Sequence, residues 1–285
     1  MHAQMNTNAQ DTKGPLGIIA GQGELPVQIA IEASAAGREI YVLQLAGFEE
    51  PRLDAYPGVT VGIGETGKQI KRLKEAGCKD VVFAGIVKRP DFSKLKLDIR
   101  GARLLPKVIA AARKGDDALL RVMVDMLERE GFTVIGAEET HTGLKAALGP
   151  IAGRVPTEDE MSDLRHAARI AASIGALDIG QGCVVNDGLV LAVEAQEGTD
   201  AMLQRVEGLP QEIRGGVLVK RPKPIQERRI DMPTIGVRTI ERAFAAGLAG
   251  IGIEADGALI LDLSAVKALA EQHGLFIYGF PRDWD

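Results

Sequence analysis

Short, almost continuously apolar runs alternating with helical segments set the strongest limit on how this chain folds. Residues 16–20 (LGIIA), 40–45 (IYVLQL) and 80–85 (DVVFAG) have the length and composition of strands covered on both faces. A glycine turn follows the first run and leads into residues 26–37, of helix-forming composition with a stopping glycine. Residues 66–77 set Ile70 and Leu73 on one helical face. This β-α-β alternation predicts a parallel sheet. Residues 116–131 place Leu119, Leu120, Met123, Met126 and Leu127 at helical spacing, with Asp116 and Asp117 in the first turn to complement the dipole. Residues 132–136 return as a strand.

From 141 to 156 the text turns rich in Gly and Pro without a sustained period, as an interdomain connection does. The expected organisation is therefore a tail or expression remnant at 1–13, a first domain at 14–140, a connection at 141–156 and a second domain at 157–285. A chain of 285 residues is long enough for two cores. Thr157 and Glu160 form a capping box at the start of the second half, and Met161, Leu164, Ala167, Ala168, Ala171 and Ile174 form the buried stripe of the helix that follows. Asn186-Asp187-Gly188 between two apolar runs predicts a hairpin, so this half holds a mixed sheet. Further strands are expected at 217–220, 251–254 and 258–262, and helices at 239–247 and 264–274.

The net charge of −5 and the even spread of charge leave no polybasic face for nucleic acid. The first thirteen residues lack a signal peptide's apolar centre, and no run approaches a membrane span. Cys78 and Cys183 lack metal-ligand or disulfide spacing, which fits a reducing cytoplasm. His2, His141, His166 and His273 show no ligand spacing, and no GxSxG elbow occurs. His166 is expected on the exposed side of its helix.

Gly21-Gln22-Gly23-Glu24-Leu25-Pro26 occupies the place of a dinucleotide fingerprint but lacks its third glycine, and the second strand lacks the acidic residue for a ribose, which disfavours a nicotinamide enzyme. Such a loop can still offer N–H groups to a phosphate, or simply be a tight turn. Gly85, Lys88 and Arg89 leave the end of another strand, where two cations can clamp a phosphate or form a solvated loop. Asp116 reads first as an N-cap. The densest polar stretches are 178–200, with Glu194, Glu197, Gly198, Thr199 and Asp200 at a strand-helix junction, and 217–236, with Lys220, Lys223, Arg228, Arg229 and Asp231. Acids beside an anion site conflict electrostatically unless a divalent cation or proton transfer reconciles them, and Mg²⁺ with phosphates is the common solution. Helix capping by Thr199 and Asp200, and an exposed basic loop around Asp231, are the structural alternatives.

LGIIAGQGELP from Leu16, AGIVKRPDF from Ala84, GDDALLR from Gly115, DIGQGCVVNDGLVLAVEAQEGTD from Asp178 and VLVKRPKPIQERRIDMPTIG from Val217 strongly resemble the LpxI-type UDP-2,3-diacylglucosamine pyrophosphatases of lipid A synthesis. The resemblance implies an α/β chain: an N-terminal Rossmann-like parallel-sheet domain, a linker, a C-terminal mixed α/β domain and a lipid site between them. It implies Mg²⁺-dependent hydrolysis of UDP-2,3-diacylglucosamine to UMP and 2,3-diacylglucosamine 1-phosphate (lipid X) by a homodimer, cytoplasmic and peripheral to the inner membrane. By the same resemblance Asp231 is central to catalysis through metal or water and is the first metal candidate, with Glu197 assisting. Lys220 and Thr199 hold the diphosphate, and Gln181 and Asp200 join the substrate site. Gly21, Gly23, Glu24, Leu25, Pro26, Gly85, Lys88, Arg89, Asp116 and Asp117 line the opposing wall. Gln22 departs from the family's opening glycines, and Glu227-Arg228 stands where many members carry Asp-Arg. A non-catalytic carrier or sensor of a phosphorylated glycolipid is the competing reading.

Overall fold

β1 (Leu16–Ala20) is buried along its whole length and forms the centre of the first sheet. The structure, a computed structural model, describes residues 14–140, 142–224 and 227–284, so the expected tail at 1–13, His2 and His141 lie outside the described residues. Backbone contacts separate two units. One takes the described residues through Arg113 together with Val122–Ile135, and the other takes Lys114–Arg121 and the described residues from Gly136 onward.

In the first unit, β1 leads to α1 (Glu24–Ala35), β2 (Ile40–Leu45), β3 (Gly58–Val61), α2 (Thr66–Glu75), β4 (Asp80–Ala84), α3 (Ile99–Ala112), α4 (Asp116–Arg129) and β5 (Thr133–Ile135). All pairings are parallel, in the order β3-β2-β1-β4-β5. The continuous apolar runs announced β1, β2 and β4 because both faces of these strands are covered. β3 went unread because GVTV is short and half exposed.

The turn from β1 into α1 is closed by its own chain. The N–H of Gly21 donates to Ala84 O (2.8 Å), that of Gln22 to Ile86 O (3.1 Å), and that of Gly23 to the Glu50 carboxylate (3.1 Å). The Arg52 side chain, hydrogen-bonded to Glu50 at 2.7 Å, holds the Glu50 carboxyl far below its ordinary value of 4.5, at about 2.

The second unit runs through α5 (Ala137–Thr140), β6 (Gly149–Gly153), α6 (Glu158–Ala176), β7 (Gly182–Asn186), β8 (Leu189–Val193), α7 (Gly198–Glu207), β9 (Val217–Lys220), β10 (Thr234–Ile235), α8 (Val237–Ala245), β11 (Gly250–Glu254), β12 (Leu259–Ile260), α9 (Leu263–Gln272) and β13 (Phe276–Phe280). Its main sheet has the order β6-β13-β11-β9-β7-β8, parallel across β13, β11 and β9 and antiparallel elsewhere. Strand alternation divides the core. Val184, Leu218, Ile251 and Ile253 face α7, α8 and α9, while Cys183, Val185, Val219 and Phe280 face Leu164, Ala167, Ala168 and Ala171 of α6. A helix layer therefore covers each face of the sheet.

Several expectations change here. The stretch expected as a connection, 141–156, carries β6, which pairs with β13, while Leu144 and Ala146 are fully buried in the second unit. Gly and Pro in GPIAG suit an edge strand, which is why the composition read as a loop. Lys114–Arg121 clusters with the second unit although the first domain was expected to run to 140. His166 is half-buried rather than exposed. Helix α6 has the full capping box: Thr157 Oγ1 accepts from the Glu160 N–H at 3.2 Å, and the Glu160 carboxylate accepts from the Thr157 N–H at 2.7 Å.

The hairpin between β7 and β8 is as the sequence predicts, with positive φ at Asp187 (49°) and Gly188 (75°). Its tip is pinned from α6: the buried Asp163 carboxylate accepts the N–H groups of Asp187 (2.9 Å) and Gly188 (2.8 Å).

Two outcomes follow from these contacts. Asp163→Ala strands two N–H donors and is expected to cost about 3 kcal/mol, read by equilibrium urea unfolding; a change under ~0.5 kcal/mol would show that water replaces the carboxylate. For Glu50, the folded value lies below the unfolded one, so its contribution is present above 4.5 and fades as pH falls towards 2. The difference in urea midpoint between the natural protein and Glu50→Gln is expected to narrow from pH 6 to pH 3. A constant difference contradicts that linkage.

Candidate functional site

The polar residues of the second unit gather where β8, β7 and β9 end together. Gly182 pairs with Lys220 across β7 and β9, and the N–H of Glu194, one residue beyond β8, donates to Gly182 O at 2.8 Å. Period two puts Glu194 on the face of Ala192, and Lys220 on the face of Leu218, both in the core packed by α7 and α8. Glu194, Gly182 and Lys220 thus form a row on one face of the sheet.

Both ionisable members of that row are buried, each 6% exposed. Lys220 Nζ donates to Thr234 O at 3.1 Å and makes no ion pair among the described residues. Thr199 Oγ1, in the first turn of α7, donates to Glu194 Oε1 at 3.1 Å. Glu194 Oε2 is buried without a hydrogen-bond partner among the described residues. Thr199 therefore does not cap α7, and its single hydroxyl proton is already used inside the site.

Two arginines beyond β9 are held by a different acid. Glu254, 1% exposed at the end of β11, pairs with Arg221 Nη2 (3.0 Å) and Arg228 Nη2 (3.4 Å). Arg221 also donates to the carbonyls of Ala168 (3.3 Å) and Arg282 (2.7 Å), and its backbone N–H reaches Gln181 O at 3.0 Å. Further along, the N–H of Asp231 donates to Glu227 O (3.1 Å), and the Thr234 hydroxyl donates to Met232 O (3.0 Å). Asp231 is thus set in a turn three residues before the carbonyl that holds Lys220.

The other predicted site residues divide into those this geometry gathers and those it places elsewhere. Glu197 flanks the N-terminus of α7, but its carboxylate is paired with Arg205 at 2.5 Å, and Asp200 is paired with Arg238 at 3.0 Å on the surface. Helix α4 begins at Asp116, so the capping position falls on Gly115 rather than on Asp116. Asp117 belongs with the second unit: its carboxylate pairs with Arg121 (3.0 Å) and accepts the Glu227 N–H (2.5 Å). Arg229, two residues on, pairs with Glu227 at 2.9 Å and holds that carboxyl below the usual range. Lys223 pairs with Asp178 at 2.7 Å.

Gly21, Gly23, Glu24, Leu25, Pro26 and Gly85 lie in the first unit at the ends of β1 and β4, with Lys88 and Arg89 exposed beyond them. There Glu24 pairs with Arg52 (2.8 Å), and Arg89 donates to Ala112 O. With the Gly23 N–H on the Glu50 carboxylate, this loop answers less to a phosphate than its glycines suggest. Burial pushes the thiol of Cys78 up to about 11 and that of Cys183 to about 12, which makes both poor nucleophiles.

Among the described residues no three His, Cys, Asp or Glu side chains group into a metal cage. Mg²⁺ at a diphosphate uses one or two carboxylates, phosphate oxygens and waters, so the half-buried Asp231 carboxylate fits that donor set as a single protein ligand. Sequence reasoning placed Glu194 in the polar stretch but gave the assisting role to Glu197 instead. The available signal was the alternation Ala192, Glu194, which points both residues into the core.

Comparison with known proteins places most of the chain in one family. The LpxI N-terminal domain model matches residues 15–144 and the LpxI C-terminal domain model matches residues 147–278. A curated relative from Caulobacter vibrioides, UDP-2,3-diacylglucosamine pyrophosphatase LpxI, is 55% identical over 270 residues, which cover 93% of this chain and 96% of the relative. The chain belongs to the LpxI family.

Proposed function

We propose that this protein hydrolyses the diphosphate of UDP-2,3-diacylglucosamine to UMP and 2,3-diacylglucosamine 1-phosphate. The observation that carries the reading is the 55% identity to the Caulobacter pyrophosphatase, unbroken by domain loss over 93% of the chain. The buried Lys220 supports it, because a desolvated ammonium with two protons to spare suits a phosphoryl oxygen far better than water. Asp231 is the residue we place at the metal. Mg²⁺ bound there would offset the charge of the diphosphate. Lys220 holds a phosphoryl oxygen, and Glu254 holds Arg221 and Arg228, the second of them three residues before Asp231.

The reading extends to a homodimer working at a membrane surface. No helix among the described residues is long and apolar enough to cross a membrane. A peripheral contact is supported by the segment from β4 to α3. It leaves Ile86, Val87, Leu97 and Ile99 exposed, and residues 86–107 contain seven Lys or Arg against two Asp. This segment crosses the C-terminal edge of the first sheet, from the end of β4 to Gly64 beyond β3, where the Asp98 N–H meets Gly64 O. Anionic lipid complements both its charge and its apolar side chains.

Incubation with UDP-2,3-diacylglucosamine and Mg²⁺ is expected to release UMP, and Asp231→Ala to lower kcat by about 100-fold or more without loss of fold. No UMP from folded natural protein would leave the carrier reading in its place, whereas full activity in the variant removes only the role given to Asp231. In flotation with vesicles, binding to anionic lipid is expected to exceed binding to zwitterionic lipid and to weaken in Ile86→Asp/Ile99→Asp. Equal binding by the natural protein and the variant assigns the contact to another surface.

A further inference from the structure

The carboxylates around the strand ends divide sharply by what they bond. Asp178, Glu197, Asp200, Glu227 and Glu254 each pair with a Lys or Arg, and Asp163 is filled by two backbone N–H groups. Glu194 differs. Oε1 accepts one hydroxyl, Oε2 accepts nothing among the described residues, and the group sits in a row with a buried ammonium that it does not pair with.

The place for Oε2 is made by Gly182. A Cβ at residue 182 would stand 2.5 Å from Oε2 and 3.5 Å from Met202 Cε, so any other residue there displaces the carboxyl. A buried carboxylate oxygen without a donor is costly unless a ligand or water supplies one. A phosphate cannot fill that role, because its charge repels the carboxylate. A small donor suits it, and a water molecule supplies that chemistry. Lys220, on the other side of Gly182, keeps two protons for the oxygens of the group that this water meets.

We propose that Glu194 is the general base of the hydrolysis, an inference that rests on the diphosphatase reading. The water oxygen forms a bond to one phosphorus as the bridging P–O bond breaks. The bonding pair leaves with the departing phosphate, and the water's proton passes to Glu194 Oε2. Thr199 fixes the carboxyl through Oε1, and Lys220 offsets charge on the phosphoryl oxygens.

The test measures kcat and KM for UMP release in Glu194→Gln, which keeps the shape and the bond to Thr199, and in Glu194→Ala with and without formate. The role requires kcat to fall by about 100-fold in Glu194→Gln with KM within about threefold, as expected for loss of a general base. It also requires formate to restore activity to Glu194→Ala but not to Asp231→Ala. A folded Glu194→Gln with kcat within about threefold of the natural protein, or a loss carried by KM alone, overturns it. If Glu194→Gln does not fold, Gly182→Ala decides the same question by keeping the carboxylate and moving Oε2: unchanged kcat there overturns the role. An inactive natural protein removes the diphosphatase reading and this role together, whereas an active natural protein with an equally active Glu194→Gln removes this role alone.

Discussion

The buried carboxylate of Glu254 is the interaction on which the polar apparatus of the second unit depends. It lies at the end of β11, where a lone ion would be very costly, and it is matched by the guanidinium groups of Arg221 and Arg228. Arg221 spends its remaining donors on the carbonyls of Ala168 and Arg282, which joins α6, the loop after β9 and the residues beyond β13 to one charge. Arg228, three residues before Asp231, is held to the end of β11 by this anchor. Replacing one partner leaves the others uncompensated, so the cost of a single change exceeds that of one bond.

The same logic sorts the acids. A diphosphate site built from so many carboxylates would repel its substrate if they were free. Most are not: each is answered by a guanidinium, an ammonium or backbone N–H groups. This resolves the electrostatic conflict of the two polar stretches in a way the sequence could not display, because the partners lie far apart in the chain, as with Glu254 and Arg221 or Asp117 and the Glu227 N–H. It also shifts attention from Glu197, whose carboxylate is occupied by Arg205, to Glu194.

Legibility followed burial. Strands covered on both faces, β1, β2, β4 and β9, announced themselves as apolar runs, and the Asp187-Gly188 turn announced the hairpin because its positive φ demands those residue types. Edge and short strands did not. GPIAG of β6 reads as a connection because an edge strand needs fewer ladder bonds and tolerates proline, while GVTV of β3 is too brief to show a period. β13 was missed although four of its five residues are buried, because a tyrosine and a glycine break the apolar run. Lys114–Arg121 was assigned to the first unit because α4 is one helix in sequence, and only tertiary contacts reveal that its opening turns belong with the second.

Membership of the site was more legible than role. The strand-end positions of Lys220, Thr199 and Glu194 follow from alternation and from glycine-marked turns. What each side chain does depends on which protons are already committed. Thr199 has one proton and Glu194 takes it; Lys220 has three and Thr234 O takes one. Counting donors and acceptors in this way separates residues that complete the scaffold from those that still have capacity for a ligand. The count leaves capacity on Lys220 and on Glu194 Oε2, and Gly182, paired with Lys220, has no Cβ to press on Oε2. A side chain at residue 182 would displace the carboxyl, so its identity as glycine is a chemical requirement of the row as much as a packing one.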